Sequence, residues 1–212
     1  ISGSSFDELV KPELKEEYTI LNGDSTLIDG VYKKYFNGGT LATKGRFVQG
    51  KADGVFEEYY ENGTLMSKTT FKNGEQTGSF EVYGRNGAII QKGSYINGVV
   101  EGEVRTYYEG GELKSESNFK NGRLNGQSVT YYLSQGKKEE ANYVDGTPTG
   151  KAFTYFENGQ IASSFFYREG VIEGKYLTFF ENGELEWAYT YADGYKNGPY
   201  KHYYQDGELR AV

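Results

Sequence analysis

His202 is the only histidine in a chain that has no cysteine. A Ser–His–Asp arrangement needs a histidine between a nucleophile and an orienting acid. The slot that His202 fills is held elsewhere by Lys34, Glu58, Thr106, Thr130, Thr154 and Thr178, so it reads as a surface position and not as a catalytic base. Glu61, Glu109, Glu157 and Glu181 are the next candidates. Two carboxylates held about 5–9.5 Å apart can do acid–base work. These four, however, share one position of a repeating unit and read as solvated turn residues. Asn73, Asn97, Asn121, Asp145 and Asp193 each precede a glycine, which suits turns; a calcium array would need denser acidic ligands. No Walker-type run ending in Gly-Lys-Ser/Thr occurs. Without cysteine there are no disulfides, thiolate nucleophiles or cysteine-ligated zinc. The expectation is a chain with no catalytic residues, no metal site and no cofactor.

The elements that carry these residues are set by a repeat. Gly30, Gly54, Gly78, Gly102, Gly126, Gly150, Gly174 and Gly198 stand 24 residues apart. Five residues after each comes an aromatic, from Tyr35 and Tyr59 through Phe179 to Tyr203. An aliphatic column (Leu41, Leu65, Ile89, Leu113, Ile161, Leu185, Leu209) follows six later. Another six bring a second aromatic column: Phe47, Phe71, Tyr95, Phe119, Tyr143, Tyr167 and Tyr191. Self-similarity at a fixed period marks a repeat architecture. With 30 Gly, 21 Tyr and 13 Phe against 3 Pro, the composition suits many short strands and tight turns. In each unit the Glu-Asn-Gly segment is expected to close a first hairpin, with Asn and Gly both at positive φ. Even spacing along a strand keeps side chains on one face, so the three anchor columns are expected to share one apolar face. A lone hairpin is marginal in water, which is why such units come in arrays.

The fold expected is all-β: an elongated, twisted antiparallel sheet of tandem 24-residue β-hairpin repeats. Two strands per unit make roughly sixteen, running on the order of 75 Å at about 4.8 Å between strands. Residues 30–212 hold eight units, the last ending after its aliphatic column. Residues 1–29 are a leader with a degenerate half-repeat around Ile20-Leu21-Asn22-Gly23; residues 1–17 read as a short helix or a flexible arm. The net charge is −7 with no basic block. Duplex DNA and anionic lipid both call for a concentrated positive face, so neither is expected as a partner.

The strings Tyr59-Tyr60-Glu61-Asn62-Gly63-Thr64-Leu65 and Phe71-Lys72-Asn73-Gly74, followed by Gly78, resemble the MORN-repeat variant of bacterial proteins. That group takes in YwqK-like antitoxin components and exported 24-residue repeat proteins. The resemblance covers residues 30–212 and, more loosely, 18–29. It implies an elongated sheet used for protein contacts. Ordinary MORN repeats are also linked to phosphoinositide membranes. This chain is acidic and has a single Trp, so lipid binding is not carried over. The functional expectation is a non-enzymatic scaffold for a protein partner, antitoxin-like or associated with the cell envelope. The alternative is a carbohydrate- or cell-wall-binding module with an exposed aromatic track. Export to the periplasm or cell surface is expected from the resemblance, the polar start and the absence of an initiator Met before Ile1; a cytoplasmic location is the alternative.

Two further columns define the candidate binding face. Phe36, Tyr60, Tyr108, Tyr132, Phe156, Phe180 and Tyr204 directly follow the first aromatic. Tyr32, Phe56, Phe80, Tyr176 and Tyr200 lie three residues before it. By alternation both should face away from the first aromatic and share a face. The face is assigned to Tyr32, Phe36, Phe56, Tyr60, Tyr108, Tyr132, Phe156, Phe180, Tyr200 and Tyr204, with a peptide or a glycan as guest. One unit breaks the frame: Leu133-Ser134-Gln135-Gly136-Lys137 moves the turn glycine by one and puts Lys137 in the aliphatic column. A charge is costly on a buried face, so a longer, bulged turn that keeps Lys137 in solvent is expected, with fast amide exchange there.

Overall fold

The computed structural model describes residues 15–21 and 23–212; of the segment 1–17 read above as a short helix or flexible arm, residues 1–14 lie outside the described residues, while Glu16 and Glu17 instead open a strand paired with Lys34 and Lys33. All described strands belong to one antiparallel sheet. It is a meander: each strand pairs with the next along the chain, from Glu16–Leu21 against Asp24–Tyr35 to Lys201–Tyr203 against Leu209–Ala211. No helix occurs among the described residues. Each unit contributes two strands, as in Gly54–Tyr59 and Leu65–Lys72.

Two kinds of turn alternate. Between strands of neighbouring units the chain reverses at pairs such as Asn73 (φ 53°) and Gly74 (φ 89°). Positive φ at both centres matches the right-handed twist of the flanking strands, and Asn-Gly is the pair that tolerates it best. Within a unit the turn differs from expectation. In Glu61-Asn62-Gly63 only Gly63 is at positive φ (82°). The Gly63 N–H donates to Tyr60 O (2.8 Å), and the Tyr60 N–H donates to Thr64 O (2.8 Å). Asn62 uses its side chain instead, accepting from the Thr64 N–H at 3.0 Å. This is a type I turn closed by a left-handed glycine and a one-residue bulge. The same Asn-Gly dipeptide therefore folds in two ways, decided by how many residues the flanking strands leave to the loop.

Register also corrects the shared apolar face. Gly54 pairs with Phe71 and Phe56 with Thr69, which puts Phe56 and Phe71 on one face. The first aromatic column, Tyr59, falls on the other. On the first face the rings make an edge-to-face chain: Tyr32–Phe47 (5.4 Å), Phe47–Phe56 (5.3 Å) and Phe56–Phe71 (5.1 Å). On the second face Glu57 accepts from the Tyr59 hydroxyl (2.9 Å) and pairs with Lys44 (3.4 Å) and Lys68 (3.9 Å). The aliphatic column joins this second face at Leu185, which lines one hollow with Leu177 and Tyr203.

The sheet has a single layer. The chain exposes 13838 Å², against roughly 10,000 Å² for a compact chain of this length. Among the described residues only Phe80, Val104, Val129, Ala152 and Ser163 have buried side chains. Between units the pairing slips by two residues, as between Thr69–Phe80 and Phe71–Gln76, and Gly78 (φ 65°) absorbs the slip. Such bulges sharpen the local twist.

The irregular fifth unit has no longer turn. Tyr131 pairs with Lys137 as Tyr59 pairs with Leu65, and the bulge beside it is common to all units. The Tyr132 N–H donates to Gly136 O (2.8 Å) and the Gln135 N–H to Tyr132 O (3.0 Å), which is the ordinary turn. Gln135 occupies the left-handed glycine slot at φ 68°. Lys137 stays 47% exposed and reaches Glu140 at 2.7 Å. Its neighbours solve the charge problem, and the loop does not lengthen. A left-handed non-glycine residue costs about 1–2 kcal/mol. Gln135→Gly is therefore expected to stabilise the chain by about 1 kcal/mol and raise its melting temperature by roughly 2–4 °C. Gly63→Ala should shift it the opposite way, both read by thermal circular dichroism.

Candidate interaction surface

The ten candidate residues do not form one track. Tyr32 and Phe56 stand on the first face within strands, and Tyr200 immediately precedes the strand Lys201–Tyr203. Tyr32 and Phe56 are half-buried in the ring chain just described, and Tyr200 is 44% exposed. Phe36, Tyr60, Tyr108, Tyr132, Phe156, Phe180 and Tyr204 have left the strands and open the within-unit turns, one per unit along a margin of the sheet. There they tie units together. The Tyr60 hydroxyl donates to Tyr83 O (2.9 Å), Tyr108 to Tyr131 O (2.8 Å) and Tyr132 to Tyr155 O (2.7 Å). Cations cover several rings: Arg85 over Tyr60 (4.8 Å), Lys114 over Tyr108 (5.7 Å), Lys138 over Tyr132 (5.8 Å) and Arg210 over Tyr204 (5.3 Å). Asparagines add a parallel ladder, with Asn86, Asn158 and Asn182 donating to the carbonyls of Glu109, Glu181 and Gln205 in the next turn (3.0–3.1 Å).

The recurrent glutamates Glu61, Glu109, Glu157 and Glu181 are exposed, one per turn. His202 lies flat on Trp187, with ring centroids 3.6 Å apart and planes 5° from parallel. Trp187 also stacks on Tyr189 at 5.3 Å, and the Lys196 ammonium sits 3.6 Å from the Tyr189 ring centre. This C-terminal ring cluster escaped the periodic reading because it is made of departures from the period. Elsewhere the Trp187 column holds Thr43, Ser67, Gln91, Ser115, Glu139 and Ser163. The signal was the departure itself.

Carboxylates on the second face are tuned by their neighbours. The Tyr59 hydroxyl, then the Lys44 and Lys68 ammonium groups, hold Glu57 below the usual carboxylate range. Lys137 does the same to Glu140, helped by the Tyr155 hydroxyl and the Gln127 amide. The reciprocal effect is largest at Tyr83. Its hydroxyl donates to Glu81 at 2.6 Å, and that bond, with partial burial, pushes the phenol up to about 12.

An open, single-layer sheet of tandem hairpins, lengthened one unit at a time and held by nearest-neighbour contacts, defines a β-hairpin repeat protein. The MORN repeat variant family model matches residues 52–73, 100–121, 148–171 and 196–211, and the chain is a MORN-variant repeat protein. Among curated proteins no significant match is found.

Two outcomes follow from this geometry. Tyr60→Phe and Tyr108→Phe each remove one hydroxyl-to-carbonyl bond between units and should destabilise by about 1 kcal/mol apiece in urea denaturation. They are far apart and should add. The second concerns Tyr83. Its folded pKa lies above the unfolded value near 10, so its stabilising bond is fully present below pH 10 and is lost as pH rises through about 12. Carbon NMR of the tyrosine ring should show Tyr83 titrating last, and Glu81→Gln should return it toward 10.

Proposed function

We propose that this chain is a non-enzymatic scaffold that holds a protein partner on the first face of its sheet. The observation that supports it most is the single layer: both broad faces are uncovered while every interior strand is already paired on both sides. Such a sheet offers side chains, and no free backbone edge, over most of its length. The first face carries rings at both ends, with Tyr200 44% exposed at one of them. Exposed aromatics dominate interface energetics. On the second face, carboxylates engaged by tyrosines and lysines make a charged lattice up to the fifth unit. The turn tyrosines serve mainly to join units, because their hydroxyls are taken and cations lie over their rings. The resemblance of the Tyr59–Gly78 segment to YwqK-like and exported repeat proteins supports a bacterial, antitoxin-like or envelope setting. Fractionation of the native cell, with the protein found outside the cytosol, checks the envelope part.

The scaffold reading is tested by quantitative capture from native extract with three forms of the chain. Tyr200→Ser should cut recovery of a specific protein about tenfold, the loss of one modest anchor. Val31→Ser/Val55→Ser, 54% and 47% exposed on the second face, should leave it intact. Equal recovery with both variants would remove the first face from consideration.

A further inference from the structure

One cross-strand row on the first face changes character in the middle of the sheet. In the first units it alternates ring and small residue: Tyr32 faces Gly45, and Phe80 faces Gly93. The rings lie over the glycines. A Cβ on Gly93 would meet the Phe80 ring at 2.8 Å and Val104 at 2.9 Å, and one on Gly45 would run into the Phe56 ring. Beyond Val104 the row becomes small on four strands in succession: Ser117, Ser128, Ala141 and Ala152. Rings resume at Phe165, directly across from Ala152. Five inter-strand steps of about 4.8 Å make a trough on the order of 24 Å long. Over its later strands lies a cavity of about 300 Å³ lined by Ser128, Thr130, Glu139, Tyr143, Thr154 and Phe165 among others.

The walls carry unspent chemistry. In neighbouring units the threonine of this slot pairs with the serine across from it, Thr106 with Ser115 and Thr154 with Ser163, each at 2.7 Å. Thr130 faces Glu139 instead of a serine, and its buried Oγ1 has no hydrogen-bond partner. A buried hydroxyl without a partner is uncommon and costly. Glu139 beside it is exposed. A guest hydroxyl placed between them would accept from the Thr130 hydroxyl while donating to the carboxylate. Phe165 stacks one face on Tyr176, 4.9 Å away and 17° from parallel. Tyr167 packs on it edge-to-face at 5.3 Å, and Ala152 stands directly across from it.

We propose that this trough binds one pyranose ring of a glycan, with Thr130 and Glu139 sharing a ring hydroxyl and Phe165 or Tyr143 taking the C–H face. An extended peptide is a poorer fit, because strand addition needs a free edge and these strands are interior. The volume sits at the bottom of the usual range for small-ligand sites, about 300–1,000 Å³, which suits a single ring. The site is separate from the partner-binding face ends proposed above, and either can fail without the other.

Chitohexaose and cellohexaose, titrated separately into the whole chain, distinguish an N-acetylhexosamine from a plain hexose source. Calorimetry and amide NMR give the readout. Saturable binding of at least one sugar at millimolar concentration or below is expected, with shifts centred on Thr130, Ala152 and Phe165. Thr130→Val keeps the shape, removes the hydroxyl and should weaken binding about tenfold. Ala141→Gly/Ala152→Phe sets a ring beside a glycine as at Gly45 and Phe56 and, with its fold checked by circular dichroism, should abolish binding. Ile96→Ser, away from the trough, should change nothing. Absence of saturable binding by either sugar, binding that survives the filled trough, or a lysine-rich peptide taking the site in place of sugar would each overturn the proposal.

Discussion

Every unit of this sheet depends on the one beside it, because a single layer has no second layer to bury its rings against. What replaces a core is repetition along the sheet. Toward both ends, rings of the first face pack on rings from the adjacent strands, as Phe56 does between Phe47 and Phe71 and Phe165 does on Tyr176. Backbone pairing runs without interruption in the same direction. An aromatic pair is worth about 0.5–1.5 kcal/mol beyond its buried area, so no single contact decides stability. The array does, and stability in such arrays is approximately a sum of unit and interface contributions.

That constraint explains why the margins are so heavily tied. A flat ribbon of hairpins has long sides made of turns, and loose turns would let neighbouring units shear. One side is held by the turn tyrosines, each donating to a carbonyl in the next unit, and by the asparagine ladder. The other is held by bonds such as Gly74 N–H to Ala52 O (2.8 Å) and Gly122 N–H to Val100 O (3.0 Å). Where Gly84 interrupts the tyrosine row, Arg85 covers the Tyr60 ring from the next turn.

The two faces are not uniform from end to end. The second face carries charges at Glu57, Glu81 and Arg105, then turns apolar at Val129, Phe153 and Leu177, which occupy the same column. The first face runs from rings to hydroxyls and back to rings at Tyr176, Trp187, Tyr189 and Tyr200. The same backbone thus presents different chemistry to a ligand at different distances along the sheet. Identical units would present only one.

The period, the two strands per unit and the turn sites were all legible in the residues, because glycines and aromatics recur at fixed spacing and backbone geometry follows spacing. The resemblance to MORN-variant repeats rested on the same letters. Which side chains share a face was not legible. The one-residue bulge beside Tyr59 reverses parity between its two strands while the two-residue slip at Gly78 keeps it, and nothing in the spacing records how many residues a bulge absorbs. That is why Tyr59 and Phe71 were placed together and lie on opposite faces. It is also why a longer turn was expected at Gln135, where a strained left-handed glutamine keeps the frame instead. The candidate aromatics Tyr60, Tyr108 and Tyr132 were visible as a column, but only the tertiary structure spends their hydroxyls on the next unit. The trough is the clearest case. Ser128 and Ala152 look unremarkable along the chain, and they line a hollow only because pairing sets them in one row with Ser117 and Ala141, between Val104 and Phe165.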